Sequence, residues 1–392
     1  MSNIKRQTKK IIGKVYRKTL RPFLLRKIIK DTEGKIDNNL IIFESFFGRS
    51  ISDNPKAIYD YLRDSGYDLV YAVNRQELYD SNQYNLVTRR SREYYRLLRS
   101  AKIIISNSRL AQDFVKQEGQ IVIQTWHGTP LKRLVHDLER IDMALTSNKD
   151  EYTEMFDKEV ERWDYLYSTC PFTTEKMRSA FHFEKEILEI GFPRNEFLYT
   201  YTQDDVKDIK ARLGLEPDQK IILYAPTYRD NQNYGLGKYY FNTTLDFKRL
   251  KETFPEYVIL LRYHYMITES EDFENENIIN VTKGYDMNEL FVVSDILITD
   301  YSSVFFDYSI LNRPFFFYAQ DIKEYESELR GFYLDYMNDL VTKPVDNTDD
   351  LIELIKNKDT YEFKEFSEKY NPIQNKDCLV KTKELIDEIL KG

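Results

Sequence analysis

The chain has 392 residues, with 57 Lys+Arg against 65 Asp+Glu, 42% hydrophobic and 31% charged, the composition of a folded globular protein and not of a disordered or collagen-like one. Its apolar runs, such as 315–319, fall short of the roughly 18–20 residues a membrane-spanning helix needs; no secretory signal pattern opens the chain, and Cys170 and Cys378 are too few for a disulfide framework, so a cytosolic protein is expected. The net charge of −8 is uneven: residues 1–30 hold eleven Lys/Arg and no acid, while the other 362 hold 46 bases against 65 acids, an acidic body that disfavours nucleic acid behind a head drawn to anionic surfaces.

In chain order, that head comes first. Ile11, Ile12 and Val15, then Leu24, Leu25, Ile28 and Ile29 after Pro22, recur at helical spacing among the charges. Such a segment, residues 1–35, is expected to lie on a membrane surface; a solvated tail and a helix docked on the acidic body are the alternatives. From residue 36, short apolar runs alternate with amphipathic segments: runs at 40–43, 69–73, 103–106, 121–126, 165–168 and 187–190, with helices over 54–64, 92–101 and 148–163. A polar stretch at 201–218 is read as a separator. A second series follows, with runs at 221–224, 258–263, 278–281, 296–299 and 315–318 and helices over 247–254, 287–293 and from Ser302. The alternation predicts βαβ units around parallel sheets, in two Rossmann-like halves, 36–204 and 205–392, facing an interdomain cleft. A last helix near 380–390 is expected to return to the first half.

Ligands of open α/β sheets sit beyond the carboxyl ends of strands, so polar residues after apolar runs are the candidate site. After the run at 121–123 come Trp126, His127, Gly128, Thr129, Pro130 and Lys132. His127 falls where a strand gives way to a turn and can take a proton from a hydroxyl at neutral pH, or be a hydrogen-bonded structural residue. Gly128 permits close backbone approach, and Pro130 suits the first turn of a helix facing an anion. Arg262 and His264, two apart at the end of the run from Val258, can grip one phosphate. Asp300, Ser302 and Ser303 follow the run at 296–299, the serines capping a helix, and Thr227 and Arg194 occupy similar edges. His136, placed in mid-helix, and His182 read as surface or packing residues. No CxxC, HExxH or closely spaced His/carboxylate group marks a metal site, and no GxxxxGK[ST] or G-x-S-x-G motif is present.

Together, WHGTPLK at 126–132, GFPRN at 191–195, YAPTYRD at 224–230, LLRYHY at 260–265, SDILITDYSSVFFD at 294–307 and RGFY at 330–333 resemble the CDP-glycerol glycerophosphotransferases of wall teichoic acid synthesis, over roughly residues 38–375. The resemblance is strongest to short members that prime or extend the chain. It implies a GT-B-like fold and transfer of glycerol phosphate from CDP-glycerol to a hydroxyl on an undecaprenyl-linked disaccharide or glycerol-phosphate primer, at the cytoplasmic face of the membrane. It implies His127 and His264 as catalytic residues, Arg194 as the arginine of the family's PRN motif, and Ser302 and Ser303 as phosphate-binding serines. Together with the strand-edge reading, Gly128, Thr129, Lys132, Arg194, Thr227, Arg262, Asp300, Ser302 and Ser303 are expected to bind substrate, with Asp300 orienting a neighbour as the alternative. No cofactor is implied; a divalent cation is compatible, with no dedicated site visible. A ribitol-phosphate or sugar-phosphate transferase of the same superfamily, and a non-catalytic membrane-surface adaptor, are the competing readings.

Overall fold

The computed structural model describes residues 21–139, 148–227, 239–240, 243–263, 267–269, 278–322 and 331–391. Residues 1–20 of the basic head, His264 and Arg330 lie outside them. The chain divides into two compact units, one of Met1–His127, Arg162–Leu166 and Leu379–Gly392, the other of Gly128–Glu161 and Tyr167–Cys378.

The described chain opens with helix α1 (Arg21–Thr32), whose Pro22 sits where a missing N–H breaks no helical bond. Ile28 is buried, and Arg99 donates from Nε to the Thr32 hydroxyl at 2.9 Å. Strand β1 (Asp37–Glu44), helix α2 (Asp53–Leu62), strands β2 (Asp68–Val73) and β3 (Leu86–Thr88), helix α3 (Arg92–Ser100), and strands β4 (Ala101–Ser106) and β5 (Ile121–Gln124) follow. With β6 (Tyr165–Ser168) and β7 (Glu186–Glu189) they form a sheet in the order β3-β2-β1-β4-β5-β6-β7, parallel from β3 through to β6. Ile41, Ile42 and Phe43 are buried in succession, as a strand covered on both faces requires. Glu44 ends β1 as a buried carboxylate, held by Arg89 Nε at 2.7 Å and the Tyr94 hydroxyl at 2.8 Å, because a buried charge persists only with such partners.

The second unit has helices α4 (Lys149–Val160), α5 (Pro171–Phe181), α6 (Glu196–Thr200) and α7 (Gln203–Arg212), then β8 (Lys220–Ala225), β9 (Tyr239–Tyr240), α8 (Phe247–Thr253), β10 (Tyr257–Leu261), β11 (Ile267–Glu269), β12 (Ile278–Asn280), α9 (Met287–Val293), β13 (Ile296–Thr299), α10 (Val304–Tyr308), β14 (Phe315–Phe317), α11 (Thr348–Lys356) and α12 (Phe363–Tyr370). Its main sheet runs β12-β10-β8-β13-β14, all parallel; β9 and β11 pair separately. Both main sheets thus step outward on one side of their first strand and then resume on the other, the strand order of a Rossmann-like fold. An aromatic cluster of Phe305, Phe306, Phe315, Phe366 and Tyr370 packs α10, β14 and α12 together.

Helix α13 (Cys378–Lys391) closes the chain. From Leu379 onward it belongs to the first unit, where its Asp387 accepts a hydrogen bond from Tyr67.

Two local expectations are corrected. The polar stretch at 201–218 contains α7, started by a reciprocal cap in which the Asp205 N–H donates to the Thr202 hydroxyl at 3.2 Å and the Thr202 N–H to the Asp205 carboxylate at 2.7 Å. Its single charged face hid a helix whose T-x-x-D start was the available signal. No helix follows Pro130: Lys132 instead pairs with Phe332 in an antiparallel bridge, and His136 lies in a single 3-10 turn, Val135–Asp137.

Candidate functional site

In the first unit the strand order reverses between β1 and β4, and the loops leaving these strands are tied together. Asn107, just past β4, accepts the Phe46 N–H at 2.8 Å, and Ser108 accepts the Phe47 N–H at 3.0 Å. His127 reaches the same place from β5: its Nδ1 lies 2.7 Å from the Asn107 carbonyl oxygen. A carbonyl can only accept, so Nδ1 carries a proton and the lone pair of the neutral ring falls on Nε2. The ring is exposed, stacked on Trp126 at 4.4 Å and edge-on to Phe46 at 5.7 Å. Beneath it, the buried Asn54 of α2 donates from Nδ2 to the carbonyls of Trp126 at 3.0 Å and Thr125 at 3.3 Å, which holds the turn where Trp126 adopts a positive φ of 52°.

The second unit repeats this logic. Its strand order reverses between β8 and β13, and the residues leaving these strands meet: Asp300 accepts both the N–H of Thr227, at 2.8 Å, and the Thr227 hydroxyl. Asp300 is almost fully buried and so orients the loop after β8. Gly128 lies against Ser303, where a Cβ would stand 2.9 Å from the serine Oγ. Two motifs far apart in sequence are therefore in contact, and a residue larger than glycine fits between them only if one of them shifts. Ser302 and Ser303 are half-buried, and the Ser303 side chain makes no capping bond although it sits at the start of α10.

A third motif joins them. Arg133 N–H donates to the Gly331 carbonyl at 3.2 Å, Tyr333 N–H to the Leu131 carbonyl at 2.9 Å, and the Tyr336 hydroxyl to the Asp300 carbonyl at 2.9 Å. Residues 128–133, the DYSS motif and residues 331–336 thus form one constellation within the second unit.

Other candidates are placed differently. Arg194 pairs with Asp307 at 2.7 Å, both side chains nearly buried, and Asn195 donates to the same carboxylate at 2.7 Å. Because Asp307 lies on α10, Arg194 fixes the helix that follows Ser303. Thr129 is buried, its hydroxyl 3.2 Å from that of Thr169. Arg262 donates to the Val281 carbonyl at 2.6 Å; burial lowers its pKa from the ordinary value and Asp286 opposes that, and the guanidinium stays a cation at neutral pH. His264 lies outside the described residues. Asn54, Asn107 and Asp307 were not singled out in the sequence; the polar Ser-Asn-Ser directly after β4 was the signal for Asn107.

His136 and His182, read as surface or packing residues, are in contact. Their rings stack with centroids 3.8 Å apart, and His136 Nε2 lies 2.7 Å from Asp157 Oδ1.

Two parallel α/β sheets of this order, each with polar groups gathered at its own point of reversal, define a GT-B-like fold of the transferase kind. Residues 27–387 match the profile of the CDP-Glycerol:Poly(glycerophosphate) glycerophosphotransferase family. The chain belongs to that family, and it is an enzyme. It is 41% identical over 335 residues to a teichoic acid poly(glycerol phosphate) polymerase of Bacillus spizizenii, covering 83% of this chain and 85% of that one. It is 40% identical over 334 residues to a teichoic acid glycerol-phosphate transferase of Staphylococcus aureus, covering 83% and 86%. Of the longer curated relatives it spans about half. The solved structure of the wall teichoic acid polymerase TagF superposes with a TM-score of 0.88 at 37% identity, over 100% of this chain and 98% of that one; a variant of it soaked with CDPG is similar, at 0.87 and 36%, over 99% and 98%.

Proposed function

We propose that the protein transfers glycerol phosphate from CDP-glycerol to a terminal hydroxyl of an undecaprenyl-linked teichoic acid primer and releases CMP. Glycerophosphate transfer in teichoic acid synthesis is the reaction of the family and of relatives about 40% identical. The observation that carries the reading is the bond from His127 to the Asn107 carbonyl, because it leaves Nε2 as the basic atom at a strand edge.

In this reading the acceptor hydroxyl attacks the β-phosphorus of CDP-glycerol, its proton passes to His127 Nε2, and the bond from that phosphorus to the CMP oxygen breaks. Charge builds on the phosphoryl oxygens and on departing CMP, so cations and hydroxyls placed beforehand lower the barrier. Arg262, Ser302 and Ser303 supply them, with Gly128 giving room beside Ser303; His264 takes the role the family resemblance gives it. Thr227 and Lys132 hold the donor. Asp300, Thr129 and Arg194 act through the loops and helix they fix.

The acceptor is lipid-anchored, so the enzyme works as a peripheral protein at the cytoplasmic face of the membrane. Among the described residues no helix is long and apolar enough to cross one. Helix α1 turns Ile28 inward and leaves Phe23, Arg26, Lys27 and Lys30 exposed, which adds to the charge of residues 1–20.

The test is to supply purified protein with CDP-glycerol and lipid-linked acceptors bearing zero, one or several glycerol phosphates, following CMP and product length. CMP release with lengthening of a primed acceptor is expected. Transfer from CDP-ribitol in preference to CDP-glycerol, or no transfer to any of these acceptors, would overturn the reading.

A further inference from the structure

We propose that His136, Asp157 and His182 form a binding site for a divalent transition ion of the zinc type, separate from the groups assigned to transfer. Only four histidines occur in the chain, and the fold of the second unit brings two of them into ring contact from distant segments. One ligand atom from each of the three residues lies within 4.8 Å of the other two.

Two imidazole nitrogens and one carboxylate oxygen are a ligand set that suits zinc and its neighbours better than magnesium or calcium, with water completing the shell. Ligand atoms about 2.0–2.2 Å from a tetrahedral ion stand roughly 3.3 Å apart. The His136–Asp157 contact of 2.7 Å has to open slightly and the wider separations have to close. Side-chain rotation suffices for both, since His182 is exposed and the Asp157 side chain is 46% exposed.

The segments that carry the two histidines are held in place by bonds of neighbouring residues. His182 ends α5 in the left-handed conformation at φ 49°, and Arg178 of α5 donates to the Phe183 carbonyl at 2.9 Å. Asp137, beside His136, accepts hydrogen bonds from Ser179 of α5 at 2.6 Å and from Tyr333 at 2.5 Å. An ion here would join the Val135–Asp137 turn to α4 and α5, and so brace the segment that carries Gly128 to Lys132.

The experiment uses the full chain stripped with a chelator, titrated with zinc chloride by calorimetry and with cobalt chloride by visible absorption. One ion per chain is expected, with the d–d bands of a low-symmetry cobalt site and no competition from excess magnesium. His182→Asn, chosen because asparagine tolerates a left-handed cap, and Asp157→Asn should each weaken binding at least about tenfold. His127→Ala should leave it unchanged. Thermal unfolding without metal checks that each variant folds. Failure to bind a stoichiometric ion, or equal affinity in the His136→Gln/His182→Asn double variant, would overturn the proposal whatever the outcome with CDP-glycerol.

Discussion

A carbonyl oxygen has no proton to give, and this sets the state of His127 through Asn107. His127→Gln keeps a donor and loses the base; kcat for transfer should fall about 10²–10⁴-fold with little change in the KM for CDP-glycerol. Near-normal turnover would remove His127 from the role. Gly128→Ala puts a methyl 2.9 Å from Ser303 Oγ, so either the serine or the 128–132 segment must move. Turnover should drop while unfolding shows a loss of about 1–3 kcal/mol. Asp300→Ala would strip Thr227 of the acceptor for both its donors and should raise the KM for CDP-glycerol, with a stability loss of about 1–3 kcal/mol. The polar residues at these edges were legible in the sequence because they end apolar runs. Their partners were not, since Gly128 and Ser303 meet only after the chain has folded.

At the scale of elements, two helices illustrate what local pattern conveys. Helix α13 is amphipathic on inspection: it buries Thr382 and Ile386, and its Asp387 accepts a side-chain bond from Tyr67. Burial, aided by the Asp387 carboxylate, pushes the Tyr67 phenol up to about 12. Lys383, and then Tyr67, hold the Asp387 carboxyl below its ordinary value. A raised phenol contributes stability that is complete below the unfolded tyrosine value near 10 and is lost as pH rises through about 12; a depressed carboxyl contributes above about 4 and is lost as pH falls through its lower value. Protection of the amides of residues 378–391, taken relative to their intrinsic exchange rate at each pH, should therefore be greatest between these limits, and Tyr67→Phe should flatten the alkaline side of that profile. The aromatic cluster is held differently, by the packing of its rings. Phe306→Ala opens a cavity among Phe305, Phe366 and Tyr370 and should cost about 3–5 kcal/mol in chemical denaturation. Helix α7 escaped notice because its exposed charges dominate its composition, whereas its cap is a pairing of two side chains with each other's backbone.

For the whole molecule, charge is distributed by segment. Seven of the eleven bases of residues 1–30 precede residue 21, and α1, with Ile28 buried, is already docked on its own unit. In the proposed reading, membrane attraction falls to residues 1–20 and to the exposed side of α1, each Lys or Arg near an anionic surface contributing about 1 kcal/mol. Removing residues 1–20 should weaken binding to phosphatidylglycerol vesicles by more than tenfold at low salt. It should also lower activity on lipid-linked acceptor more than on a soluble analogue. Equal vesicle binding with and without the segment would sink this assignment.

The alternation of apolar runs and amphipathic helices, the parallel sheets it implies and the polar edges that follow each run were determined by the sequence alone, because periodicity and capping act over a few neighbouring residues. Strand order was decided only in the tertiary structure, and strand order selects which edges adjoin. It set Thr227 beside Asp300, Gly128 against Ser303, Arg194 on Asp307, and His136 upon His182. Contacts between residues so far apart in the chain depend on how whole strands and helices pack, and no local spacing in the sequence carries that information.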